Sequence, residues 1–165
     1  MLKKYIVSAF FLFSCCIFAY STTIAIACFQ NKDAHEACMN VTGKFEDLLF
    51  APFFDGGVIV TSIPVGEISS KKDIKIDRIR TLFEQPADYI LVCRVEYGKS
   101  LVIDKTGKKK VPDWLNTEFC LIEFSSGKEI YTSSIKMENI EGNTIEKRTE
   151  KVSALIAREV LAKIK

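Results

Sequence analysis

Hydrophobic and polar positions along this chain come in blocks whose period changes from one segment to the next. Residues 5–29 carry no charge at all, and residues 30–43 are polar, low in β-branched residues and closed by Thr42-Gly43. We read residues 28–45 as a polar leash with at most one helical turn around Ala34 and Ala37. The run "DLLFAPFFDGG" then predicts a buried strand over residues 48–54, with Pro52 confining it to an edge, an end or a bulge. "VIVTSIPV" predicts a partner strand, since Asp55-Gly56-Gly57 suits a short hairpin connection.

Ile76, Ile79, Leu82 and Phe83 recur at helical spacing, with Asp73 as the expected N-cap and Pro86 as the stop. "YILVCRVEY", residues 89–97, is continuous and β-branched enough for a central strand. Residues 98–113 hold Gly98, Gly107, three consecutive lysines and Pro112, and predict an exposed loop or protruding hairpin. "NTEFCLIEF" and "KEIYTSSIKM" read as two antiparallel strands around Ser125-Ser126-Gly127-Lys128. The chain closes on an amphipathic helix whose apolar stripe is Val152, Leu155, Ile156, Val160 and Ile164. The order β-β-α-β-β-β-α predicts an α+β fold: a mostly antiparallel sheet of about five strands with two helices on one face.

The N-terminus fixes the expected compartment. Lys3 and Lys4 precede an uncharged apolar run that reaches Ala25-Ile26-Ala27, the layout of an export signal over residues 1–27. A single domain over residues 46–165 would follow the leash. Two cysteines sit just after an apolar run and a small residue, as in a lipoprotein signal: Cys28, the first choice for lipidation, and Cys15, the second. Plain cleavage after Ala27 would instead give a soluble exported protein. In an oxidising compartment Cys28 and Cys38 could close a short loop, which excludes a lipid on Cys28. Cys93 and Cys120 bridge only if their strands are neighbours with facing side chains; otherwise they pack as small hydrophobes.

The formal charge of +2 is carried by Lys3 and Lys4, so the chain without its signal is neutral overall. That removes any global electrostatic case for nucleic acid as a partner. Catalytic groups are scarce. His35 is the single histidine and sits in the expected leash, where nothing preorganises it. Cys28, His35 and Cys38 lack a fourth ligand, so no metal and no cofactor are expected. Glu118 and Glu123 fall on opposite faces of one strand. The most site-like feature is Lys108-Lys109-Lys110 with Trp114 close by, a candidate interaction loop unless Trp114 folds back onto the core.

"PADYILVCRVEYG", the basic loop, "LNTEFCLIEFSSGKEIYTSS" and the terminal helix together resemble a recurring bacterial envelope module, of the TolB N-terminal-like α/β type. Its members include lipoprotein activators of penicillin-binding proteins and the curli-secretion lipoproteins. Leu121, Gly127, Ile130 and Tyr131 match the apolar, turn-glycine, apolar and aromatic places of its hairpin. "DLLFAPFFD" is similar to the strand that opens such domains. Cys93-Arg94 stands where the module carries Gly, and a strand is expected where it carries a long helix. The resemblance implies a non-catalytic binding or assembly module of the periplasm or outer membrane. It would be membrane-held through its N-terminus and partnered by another envelope protein or a cell-wall component. The alternatives are a small glycan-binding or cell-wall-acting envelope protein, or a soluble secreted factor.

Overall fold

The computed structural model describes residues 21–164. Residues 1–20, which hold most of the expected export signal and Cys15, lie outside the described residues. Six strands form one sheet: β1 (Thr23–Asn31), β2 (Ile59–Ser62), β3 (Gly66–Ile68), β4 (Tyr89–Ile103), β5 (Lys110–Glu123) and β6 (Glu129–Lys136). The helices are α1 (Cys38–Asp55), α2 (Ile76–Arg80) and α3 (Ile145–Leu161). The sheet order is β2-β1-β4-β5-β6, with β3 pairing β1 beyond the end of β2.

The α+β class holds, but the sheet is mixed rather than mostly antiparallel. β1 runs parallel to β2, β3 and β4, whereas β4-β5-β6 is an antiparallel meander. The difference comes from β1. Residues 23–31, assigned to the signal and leash, form an inner strand whose Ile24, Ala25, Ile26, Ala27 and Cys28 are fully buried. Parallel pairing of β1 with β2 requires a crossover, and α1 supplies it.

α1 occupies the rest of the expected leash and the whole of the expected strand 48–54. Its buried positions Cys38, Thr42, Phe45, Leu49 and Phe53 follow a helical interval of three or four residues. Pro52 sits in the last turn, where it gives up its own amide bond while its carbonyl accepts from the Gly56 amide, and Gly57, at φ 78°, ends the helix rather than turning a hairpin. α1 and α3 pack together on one face through Phe45, Leu49, Phe53, Val152, Ile156 and Val160. The stripe expected over residues 76–83 becomes only the short α2, on the opposite face, with Ile79 against Ile90 and Ile122. Asp73 caps a turn before it, accepting from the Ser70 amide at 2.8 Å.

The meander and α3 match the sequence expectation. Gly127 has φ 73° in the β5–β6 turn, and a Cβ there would also meet the Arg80 guanidinium at 2.9 Å. Gly127→Val should therefore lower stability by on the order of 1 kcal/mol or more in denaturant unfolding.

One buried acid sits under the sheet. Glu46 on α1 is only 7% exposed, its Oε1 has no hydrogen-bond partner, and burial raises its carboxyl above the ordinary 4.5. A raised folded-state value favours the protonated form in the native protein. This stabilisation is complete below the unfolded value and is lost as pH rises through the folded one. Glu46→Gln should flatten that part of a stability–pH profile and raise the melting temperature at neutral pH.

Candidate functional site

Two features meet where β1 ends: a buried polar knot and the base of a long hairpin. Asn31 closes β1 by placing its side-chain amide against the backbone of Tyr97. Oδ1 accepts from the Tyr97 amide at 2.8 Å, and Nδ2 donates to the Tyr97 carbonyl at 3.1 Å. The same Nδ2 donates to Asp33 at 2.7 Å. Thr42 Oγ1 lies 2.9 Å from Gln30 Oε1 and 3.0 Å from the Tyr97 hydroxyl. Thr42 has one hydrogen, and Gln30 Oε1 can only accept, so the Tyr97 hydroxyl donates to Thr42 when Thr42 donates to Gln30. Burial pushes the Tyr97 phenol well above its ordinary value. These groups satisfy one another, and the knot fixes the hairpin base to the sheet.

Beyond this point β4 and β5 continue as a two-stranded hairpin. β4 pairs β1 only as far as Val95, and β5 pairs β6 only from Asn116 onward, yet the hairpin runs to Ile103 and Lys110. A register shift at Glu96/Tyr97 gives β5 an extra residue, Leu115, which is 47% exposed. Trp114 is thereby turned into the core, 3% exposed, edge-on to Phe45 at 5.5 Å between centroids. Its indole N–H donates to Thr117 Oγ1 at 2.9 Å. Trp114 therefore folds back onto the core, the alternative expected for it, and does not share an exposed loop with the three lysines.

The lysines stand apart at the tip. Asp104 Oδ1 accepts from Thr106 Oγ1 at 2.7 Å and from the amides of Lys108 and Lys109 at 3.1 and 3.3 Å. Gly107, at φ 73°, completes the turn. These bonds hold the Asp104 carboxyl below its ordinary value, so it stays charged. Lys105, Lys108, Lys109 and Lys110 are all exposed around this fixed turn, and Ile103 beside them is 66% exposed. At the start of α3 the Glu146 carboxyl is held below its ordinary value by its own backbone amide and by Thr144, with a smaller contribution from Lys109.

The sheet face opposite α1 and α3 offers a second concavity. A hollow of about 230 Å³ lies between Ile74, Ile76, Val92, Cys120, Ile122 and Thr132, with Arg94 and Glu118 at its rim. Arg94 Nη1 is 3.5 Å from Glu118 and 3.8 Å from Glu96, so its charge is already balanced there.

The remaining sequence candidates lie elsewhere. Cys28 is buried at the middle of the sheet, beside Cys93 of β4. Cys28, the first choice for lipidation, and the boundary expected at residue 27 both fall inside β1, and cleavage before Cys28 would remove residues 23–27 of that strand. Cys93 and Cys120 are on adjacent strands but opposite faces, since Cys93 pairs Phe119 and Cys120 pairs Val92. His35 Nδ1 accepts from the Ala37 amide at 3.1 Å. Among the described residues no three His, Cys, Asp or Glu side chains converge to hold a metal ion, and no helix is long and apolar enough to cross a membrane.

A family model described as "Uncharacterised protein" matches residues 23–165, beginning at the first residue of β1. The chain belongs to this family. No curated protein matches it. Among solved structures it is similar to the lipoprotein GNA1162 from Neisseria meningitidis, at 16% identity and TM-score 0.45, over 87% of this chain and 97% of that one. A PelC dodecamer from Paraburkholderia phytofirmans shares 18% identity at TM-score 0.49, over 89% and 91%. A putative neuraminyllactose-binding hemagglutinin homolog from Helicobacter pylori shares 12% at TM-score 0.40, over 88% and 84%. None of the three is described as an activator of penicillin-binding proteins or a curli-secretion lipoprotein.

The geometry separates the two halves of the expected loop experimentally. Trp114→Ala should cost about 3–5 kcal/mol of stability, as loss of a buried aromatic does. Replacing Lys108, Lys109 and Lys110 together by Ser should move stability by no more than about 0.5 kcal/mol, as exposed substitutions do. Denaturant unfolding of both variants checks this.

Proposed function

We propose that this chain is an exported bacterial envelope protein, tethered through its N-terminal segment, that acts as a non-catalytic binding or assembly module. The observation that carries this reading is the placement of the lysine tip relative to the chain's entry into the fold. Tyr89 pairs Ile24 at the start of β1, and β4 then extends to Ile103. At about 3.3 Å per residue the tip stands roughly 40 Å from the entry point, at the opposite end of the sheet. A tether upstream of Thr23 would thus present the tip away from the membrane that holds it. The fixed turn gathers four exposed lysines at one end of a domain that is neutral overall, so the tip is locally basic, which favours an acidic surface on the partner.

With β1 intact, the lipidation site moves upstream. Cys15 follows Leu12-Phe13-Ser14 and leaves a short connection to Thr23, so it becomes the first choice. The partner is another envelope protein or a cell-wall component. Burial of Trp114 weakens the glycan-binding alternative, because it removes the aromatic on which a sugar ring would stack.

Metabolic labelling with palmitate tests the tether. Label should enter the wild type and Cys28→Ala and be lost from Cys15→Ser. Label retained in Cys15→Ser, or absent from all three, would remove the proposed site. For the tip, a photo-crosslinker at Lys109 should give an envelope adduct that disappears when Lys108 and Lys110 become Glu. An adduct unchanged by charge reversal would count against the tip as the contact surface.

A further inference from the structure

Cys28 and Cys93 stand side by side at the centre of the sheet. They are register partners on the parallel strands β1 and β4, both fully buried, and both face α1. Both are free thiols in this structure. Neighbouring strands lie about 4.8 Å apart, within the span of roughly 4.4–6.8 Å that a disulfide bridges between Cα atoms. The other pairings fare worse. Cys120 is on the far face of the sheet from Cys93, and Cys38 is carried by α1 and is no register partner of either strand cysteine.

We propose that Cys28 and Cys93 are joined as a disulfide when the chain folds in an oxidising compartment, tying β1 to β4. The reaction is thiol–disulfide exchange with an oxidant that is itself a disulfide, either a protein dithiol oxidase or oxidised glutathione. One cysteine thiolate attacks the oxidant's disulfide, forming a mixed disulfide and releasing one oxidant sulfur as a thiol. The second cysteine thiolate then attacks the first cysteine's sulfur and expels the other. The pair loses two protons and two electrons, and the oxidant gains them.

The timing follows from burial. In the folded protein Cys93 and the surrounding core hold the Cys28 thiol protonated well above its ordinary range, and Glu46 adds to this. A thiolate is the attacking species, so exchange belongs to the folding chain, before α1 closes over the sheet. Once α1 has docked, the pair is shielded from oxidant and reductant alike. The bond drawn between in-register parallel neighbours also brings their Cβ atoms closer than the sheet alone requires.

The test is a non-reducing peptide map of the full-length protein in mild detergent, refolded with mixed oxidised and reduced glutathione and alkylated before digestion. A peptide joining residues 28 and 93 is expected, with Cys38 and Cys120 alkylated. The oxidised form should melt at a higher temperature than the same protein refolded in excess reductant. Cys93→Ala should abolish the linked peptide and still give a folded protein by circular dichroism. Alkylated Cys28 and Cys93 after refolding, or Cys28 joined to a different cysteine, would overturn the pairing. The same map on protein taken directly from cells, alkylated at lysis, reports the compartment independently. A pair linked in vitro but reduced in cells would count against export and leave the pairing standing.

Discussion

Burial of β1 on both faces is the constraint on which the rest of this structure depends. A strand in that position needs hydrogen-bonding neighbours on each side and an apolar cover above and below. β2 and β3 share one side, and β4 fills the other. α1 and α3 cover the face carrying Ile24, Ile26 and Cys28, and the segment around α2 covers the face carrying Ala25 and Ala27. The small alanines on the second face suit a thin layer with only one short helix, while the larger isoleucines meet the two long helices. The parallel direction of β1 and β2 in turn makes a long connection obligatory.

That constraint reaches the exposed hairpin through a few side chains. Asn31 stands in for the next residue of a strand that has ended, bonding both backbone groups of Tyr97. Tyr97 packs at 5.8 Å on Trp114, and Trp114 packs on Phe45 of α1. The hairpin base is thus gripped by the sheet, by α1 and by its own aromatic pair. What projects beyond is the two-stranded hairpin alone, and its turn is set by Asp104 and Gly107. The basic tip continues the two strands that start in the core.

The parts legible in the sequence were those whose period is local. β5, β6 and α3 each bury one face, so alternation or a helical stripe marks them directly. β1 buries both faces, which erases the alternation and leaves an uncharged run like the tail of an export signal. α1 was hidden for a different reason. Its buried stripe includes Thr42 and Cys38, while "LLFAPFF" crowds apolar residues onto positions that the helix leaves half-buried, as at Phe50, or exposed, as at Phe54. Trp114 was obscured by the extra residue at Leu115. Counting alternate positions back from Phe119 puts Trp114 on the open face, and only the bulge returns it to the core. No pattern in a single chain announces that shift.

The two sides of the sheet end differently. On one, Pro64 separates β2 from β3, and the pair presents two short, interrupted strands. Such an edge offers no continuous row of amides and carbonyls to an incoming strand. On the other, β6 has one irregularity at Ile130 and then pairs regularly from Tyr131 to Lys136. Growth of this sheet by strand addition is therefore one-sided. Two copies meeting at β6 would have to do so about a twofold axis, each consuming the other's open edge, and the assembly would terminate at a pair instead of propagating as a fibre.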